Sequence, residues 1–228
     1  MEKTDFSVFL EETETLDFLH PAVQAYVAGL RDLPTKKEQA IAVYLRVRDG
    51  FLYDPYHLDL RKDALTASTI LEKSRAWCVE KSIVCCAALR ALEIPARLGF
   101  GIVKNHIGVE KLVGYLRKDE IVFHGFVEVF LDGKWTKCTP AFDRRICRLN
   151  RVEPLSWTGE EDSLLQEYRG EERYMEYLHF YGVFADVPLQ LMHEEMYTHY
   201  PHLFHDPVDT AAFSFRFDLA FNQSKQER

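Results

Sequence analysis

No run in these 228 residues approaches the roughly 20 consecutive apolar residues that a membrane helix needs, so no membrane association is expected. Excess positive charge is missing too: 28 Lys and Arg stand against 36 Asp and Glu, for a formal net charge of −8. Without a clustered basic face to track phosphates, nucleic-acid binding is not expected. Met1 to His20 hold Glu, Asp and Thr where a secretory leader would carry a basic stretch and then an apolar one, so no leader is expected. Cysteine is sparse and odd in number, at Cys78, Cys85, Cys86, Cys138 and Cys147. That disfavours a disulfide framework and fits free thiols in a reducing cytoplasm. There is no Cys-x-x-Cys, and adjacent Cys85 and Cys86 point about 100° apart on a helix. His193, His199, His202 and His205 follow no zinc-ligand spacing, so neither metal nor cofactor is expected. No internal repeat is visible, and no linker is long enough to demand a second domain.

What is present is a core: 47% of the residues are apolar, enough to fill the interior of one globular domain covering 1–228. Ala40, Ile41, Val43, Tyr44 and Val47 recur at helical spacing, which predicts a helix over Lys37 to Arg48. Asp49-Gly50 ends it, and Asp54-Pro55 marks a turn. A short helix is expected from Thr66, as cap, to Lys73. Ser74 to Trp77 lead into Cys78, and Val79 to Leu92 again read as a helix, stopped by Pro95. Ala96 to Val103 read as a buried strand. Ile121 to Leu131, Asp132-Gly133 and Lys134 to Thr139 spell a hairpin, because Asp-Gly supplies the positive φ angles of a tight turn. Beyond Asp143 an acidic loop (Glu153 to Glu167) precedes helices expected near Glu171 to Phe180 and Val187 to Tyr200, then a polar tail from Asn222. Helices, a strand and a hairpin, then helices again indicate an α+β domain.

Two residues in this layout carry chemistry. Cys78 stands where an irregular segment enters a helix, and amide hydrogens and dipole at a helix N-terminus favour negative charge. A thiol there is biased towards thiolate, its reactive form. Cys85 and Cys86, two turns further on, read as buried apolar residues. In the hairpin, opposite residues sum to 265 in number, and alternation places His124, Phe126, Glu128 and Phe130 on one face with Thr139, Lys137 and Trp135. His124 therefore sits near the open end of the hairpin, diagonal to Thr139. Glu128 reads as a structural partner of Lys137. Trp77 is placed to wall a cleft beside Cys78, and Asn105 and His106 to contact a substrate.

The stretch from Trp77-Cys78-Val79-Glu80-Lys81 to Glu93-Ile94-Pro95-Ala96-Arg97 resembles the transglutaminase-like superfamily of papain-type cysteine enzymes. In that superfamily the nucleophilic cysteine opens a helix ending in a Gly-Ile-Pro-Ala-Arg-like turn. The stretch from His124-Gly125-Phe126-Val127-Glu128 to Lys134-Trp135 is similar to its His-Ala-Trp-x-Glu hairpin, which bears the catalytic histidine. These blocks span a motif core of about 66–143, and the flanking segments resemble a bacterial subgroup of unassigned activity. The resemblance implies a papain-like fold with the nucleophile at a helix N-terminus packed on an antiparallel sheet. It implies a cysteine-dependent hydrolase or acyltransferase acting on amide bonds of a peptide, a protein or a small molecule. His124 would deprotonate Cys78, and a thioester would form on the sulfur.

One departure stands out. The superfamily's third member is an aspartate in an Asp-Pro-Thr turn, and here that place holds Thr139, followed by Pro140. A threonine hydroxyl can accept from an imidazole N–H but carries no charge. Asp143 could fold back to supply a carboxylate, so Thr139 and Asp143 compete for the role. The departure also opens the alternative of a catalytically impaired module that holds peptides or proteins in its cleft.

Overall fold

In the computed structural model, which describes residues 6–105, 110–164, 175–206 and 208–218, helices come first and a sheet follows. Helix α1 (Pro21–Val27) precedes α2 (Lys36–Gly50). The start of α2 is fixed by a capping box: the Thr35 hydroxyl accepts from the Glu38 N–H, and the Glu38 carboxylate accepts from the Thr35 N–H. Strands β1 (Leu52–Tyr53) and β2 (His57–Asp59), helix α3 (Ala67–Leu71, capped by Thr66) and β3 (Arg75–Ala76) carry the chain to α4 (Cys78–Ala91). Next come β4 (Ala96–Asn105), α5 (Glu110–Leu116), β5 (Glu120–Leu131), β6 (Lys134–Cys138) and α6 (Arg144–Leu149). After β7 (Met175–Phe184), α7 (Leu189–His199), α8 (Pro201–His205) and β8 (Ser214–Arg216) complete the described chain. The class is α+β, as expected. Among the described residues no helix is long and apolar enough to cross a membrane.

Helix α4 is the axis of the molecule, buried at every position from Cys78 to Ala91. A helix enclosed all round needs partners for each polar side chain it carries. Glu80 accepts from Lys73 Nζ at 2.6 Å and from the Trp77 N–H at 3.2 Å, which also fastens the first turn. Lys81 Nζ donates to three carbonyls, those of Arg48 (2.8 Å), Phe51 (3.1 Å) and Ala141 (2.7 Å). Arg90 reaches the carbonyls of Ala96, Glu11 and Ala185. The helix ends on Glu93, which adopts φ 56°, while the Ile94 N–H returns to the Leu89 carbonyl. That is the left-handed C-terminal turn in which glycine is the usual occupant.

The main sheet is antiparallel, in the order β6-β5-β4-β7, and α4 packs on β5. The hairpin has the expected register: Val127 pairs with Cys138, Glu128 with Lys137 and Phe130 with Trp135, all summing to 265. Asp132 (φ 50°) and Gly133 (φ 85°) make its tight turn. Gly125 points at the first turn of α4, where an added Cβ would stand 3.1 Å from Val79 Cα. Phe126, one residue on, lies across Gly99 on the opposite face, because alternation sends neighbouring side chains to opposite sides. On that face Arg97 bonds Glu128 at 2.7 Å and stacks 4.1 Å from the Trp135 ring. Glu128 is thus chiefly the partner of Arg97, with Lys137 further off at 3.9 Å.

One expectation is overturned. The helix predicted near Glu171 to Phe180 is absent where the chain is described: Met175 to Phe180 belong to β7, and 171–174 lie outside the described residues. Met175–Phe184 is rich in Tyr, Phe and Val, which suit a pleated surface, and β4 offers an edge to pair with. Residues of the polar tail from Asn222 lie outside the described residues.

Candidate active site

Cys78 is the first residue of α4, after Trp77 in extended conformation (ψ 175°). Its sulfur faces the N–H groups of Gly125, Val79 and Cys78 itself, and the Tyr53 hydroxyl. Trp77, Cys78 and Tyr53 line a narrow cleft of about 20 Å³, roughly the room of one water, together with Leu112, Val122 and Met196 among others. Cys78 is only 2% exposed. The expectation of a thiolate is corrected here: burial outweighs the helix terminus and pushes the thiol up to about 11. In this closed cleft the sulfur is a neutral thiol.

His124 comes to the site by way of a bulge. Gly101 pairs with His124 but Val103 pairs with Ile121, so β5 carries one extra residue between them. Phe123 absorbs it with φ 62°, a strained value for an aromatic residue. Packing holds that strain, since Phe123 is fully buried between Phe100 and Tyr181, each 4.9 Å away ring to ring. The bulge resets the alternation just before His124, whose ring lies 6.0 Å from that of Tyr177. Room for Tyr177 comes from Gly101, where a Cβ would stand 3.0 Å from the tyrosine ring and 2.6 Å from the His179 carbonyl.

Neither ring nitrogen of His124 has a hydrogen-bond partner among the described residues. Burial alone pushes its imidazole down to about 4, because no carboxylate stands by to favour the charged form. Thr139 is buried beside the Tyr177 hydroxyl. Its backbone N–H is taken by the Ser163 carbonyl at 3.1 Å. Asp143 is buried too, but its oxygens are spent elsewhere. Oδ1 caps α6 by accepting from Arg145 (2.7 Å) and Ile146 (3.2 Å), and Oδ2 accepts from the Tyr53 N–H at 2.6 Å. The chain therefore places Trp77 and Cys78 in one cleft and His124 and Thr139 beside Tyr177, while neither candidate orienting group bonds the imidazole.

Trp77 lines the cleft beside Cys78, and its buried indole N–H has no partner among the described residues. Asn105 is the last residue of β4, and His106 lies outside the described residues. Sequence reasoning missed Tyr53, which lines the cleft with Cys78, Tyr177, whose ring neighbours that of His124, and Lys81, which ties together the carbonyls of Arg48, Phe51 and Ala141. The one available signal was the turn at Asp54-Pro55, directly after Tyr53.

The transglutaminase-like superfamily profile matches residues 24–140, just over half the chain. That span contains Cys78, His124 and Thr139 and stops short of Asp143. A crystal structure from Cytophaga hutchinsonii, described as that of a candidate cysteine protease, is similar over 61% of this chain at 16% identity, with a TM-score of 0.48. This chain spans 43% of that one. No curated protein matches this chain.

Proposed function

The chain belongs to the transglutaminase-like superfamily, and from that premise we propose that it is a cytoplasmic, cysteine-dependent hydrolase or acyltransferase acting on amide bonds of peptides, proteins or small molecules. In this reading His124 accepts the proton of the Cys78 thiol, and the thiolate attacks the amide carbonyl. His124 returns the proton to the departing amine, leaving a thioester on Cys78. Water or a second amine then takes the acyl group and frees the sulfur. Amide N–H groups at the start of α4 are the natural donors to the oxyanion. No cofactor is needed.

One observation carries the reading: Cys78 opens α4 with its sulfur facing the Gly125 N–H, on the same strand that bears His124. The resting thiol and imidazole are both buried and neutral, so in this reading the ion pair forms only once substrate or water enters. Incubation with a panel of amide and thioester probes is expected to leave a mass-detectable adduct on Cys78. Cys78→Ser should abolish the adduct, and His124→Gln should slow its formation by about 100-fold or more, the scale of general-base catalysis. Absence of any adduct would sink the enzymatic reading. The second reading, a catalytically impaired peptide- or protein-binding module, is favoured by the unpartnered imidazole; peptide binding with no adduct would support it.

A further inference from the structure

Asp143 makes no bond to His124, and the contacts it does make point to another purpose. Its Oδ2 accepts the Tyr53 N–H at 2.6 Å, while Oδ1 is pinned by two amides of α6. Tyr53 ends the two-residue strand β1, which pairs with β3 so that Tyr53 lies opposite Ala76, two residues before the nucleophile. A ladder this short cannot hold a side chain in place alone. It is braced on both sides. Lys81 Nζ takes the carbonyl of Phe51 just before β1 and that of Ala141 in the turn that leads to Asp143. Phe142 packs edge-on against the Tyr53 ring at 4.7 Å. Two buried polar side chains and an aromatic thus fix one tyrosine, which lines the cleft with Cys78 and whose hydroxyl faces the sulfur.

We infer that Tyr53 is a catalytic residue of this site, its hydroxyl donating to the Cys78 sulfur, with Asp143 and Lys81 as the positioning residues that hold it there. The inference rests on the proposed chemistry of Cys78 and His124. A hydrogen bond from a neutral hydroxyl strengthens when its acceptor becomes anionic. Tyr53 therefore favours the thiolate over the thiol while keeping its own proton, and His124 remains the base. Besides Tyr53, the titratable groups that act on the sulfur include Tyr177 from β7 and Tyr200 after α7, while Glu80 and Lys81 follow Cys78 on α4 and His124 adjoins Gly125 on β5.

The test is the pH dependence of Cys78 ionisation in the full chain. It is read as iodoacetamide alkylation by mass and, independently of reagent access, as thiolate ultraviolet absorbance relative to Cys78→Ser. Tyr53→Phe keeps the ring and its packing, and should leave about tenfold less thiolate at a given pH below the midpoint, raising the midpoint by about one pH unit. Asp143→Asn, which cannot accept from both α6 and Tyr53, should shift the midpoint in the same direction. A purely structural Asp143 would lower the melting temperature without moving the midpoint. An unchanged or lowered midpoint in Tyr53→Phe overturns the inference. The proposed function fails separately, if His124→Gln forms the thioester adduct as fast as the wild type.

Discussion

Acidification should destabilise this protein through His124, and the size of the effect follows from its surroundings. The imidazole is 1% exposed, has no partner on either nitrogen among the described residues and is pushed from 6.5 to about 4 by burial. In the unfolded chain it titrates normally, so between these values the unfolded state binds the extra proton. Stability is therefore fully present above 6.5, falls as pH drops through that value and levels off below about 4. At about 1.36 kcal/mol per pH unit, the loss reaches about 2 kcal/mol at pH 5 and about 3 kcal/mol at pH 4. Other groups titrate over the same range, so the measurement is a difference. Urea unfolding of wild type and His124→Gln is compared from pH 8 to pH 4, since glutamine carries no proton to gain. The wild type should lose about 2–3 kcal/mol relative to the variant. A carboxylate oriented onto His124 would raise its pKa and reverse the sign, so the wild type would gain relative stability on acidification. That reversal, or a flat difference, would refute the reading of an unpartnered, buried imidazole.

Three further outcomes follow from the packing around α4. Lys81→Met leaves the carbonyls of Arg48, Phe51 and Ala141 without a donor and should cost about 3–5 kcal/mol in chemical unfolding; a loss below about 1 kcal/mol would contradict the bracing role. Glu93→Gly relieves a left-handed residue whose ion pair with Lys36 is exposed, and should add about 1 kcal/mol, or about 2–4 °C in melting temperature. Gly125→Val would crowd Val79 Cα and the Cys78 carbonyl, costing about 1–3 kcal/mol and slowing adduct formation on Cys78. Full activity in that variant would argue that the nucleophile's turn is not seated on β5.

The sequence by itself determined the parts whose causes lie within a few residues. Asp132-Gly133 dictates a tight turn and with it the pairing of Val127 with Cys138 and Phe130 with Trp135. The spacing of apolar residues and the stop at Pro95 outline α4, and the blocks around Cys78 and His124 identify the superfamily. Local pattern misled at Met175–Phe180, where aromatic spacing suits a helix or a strand and only the free edge of β4 selects the strand. Tertiary structure alone decided the state of the site. Whether Cys78 is thiolate or thiol turns on burial by β5, α5 and α7, contributed from distant parts of the chain. Whether Asp143 serves His124 or Tyr53 turns on a contact bridging 90 residues. Propensity acts between neighbours, whereas desolvation and the spending of a carboxylate's oxygens depend on whatever the folded chain brings alongside.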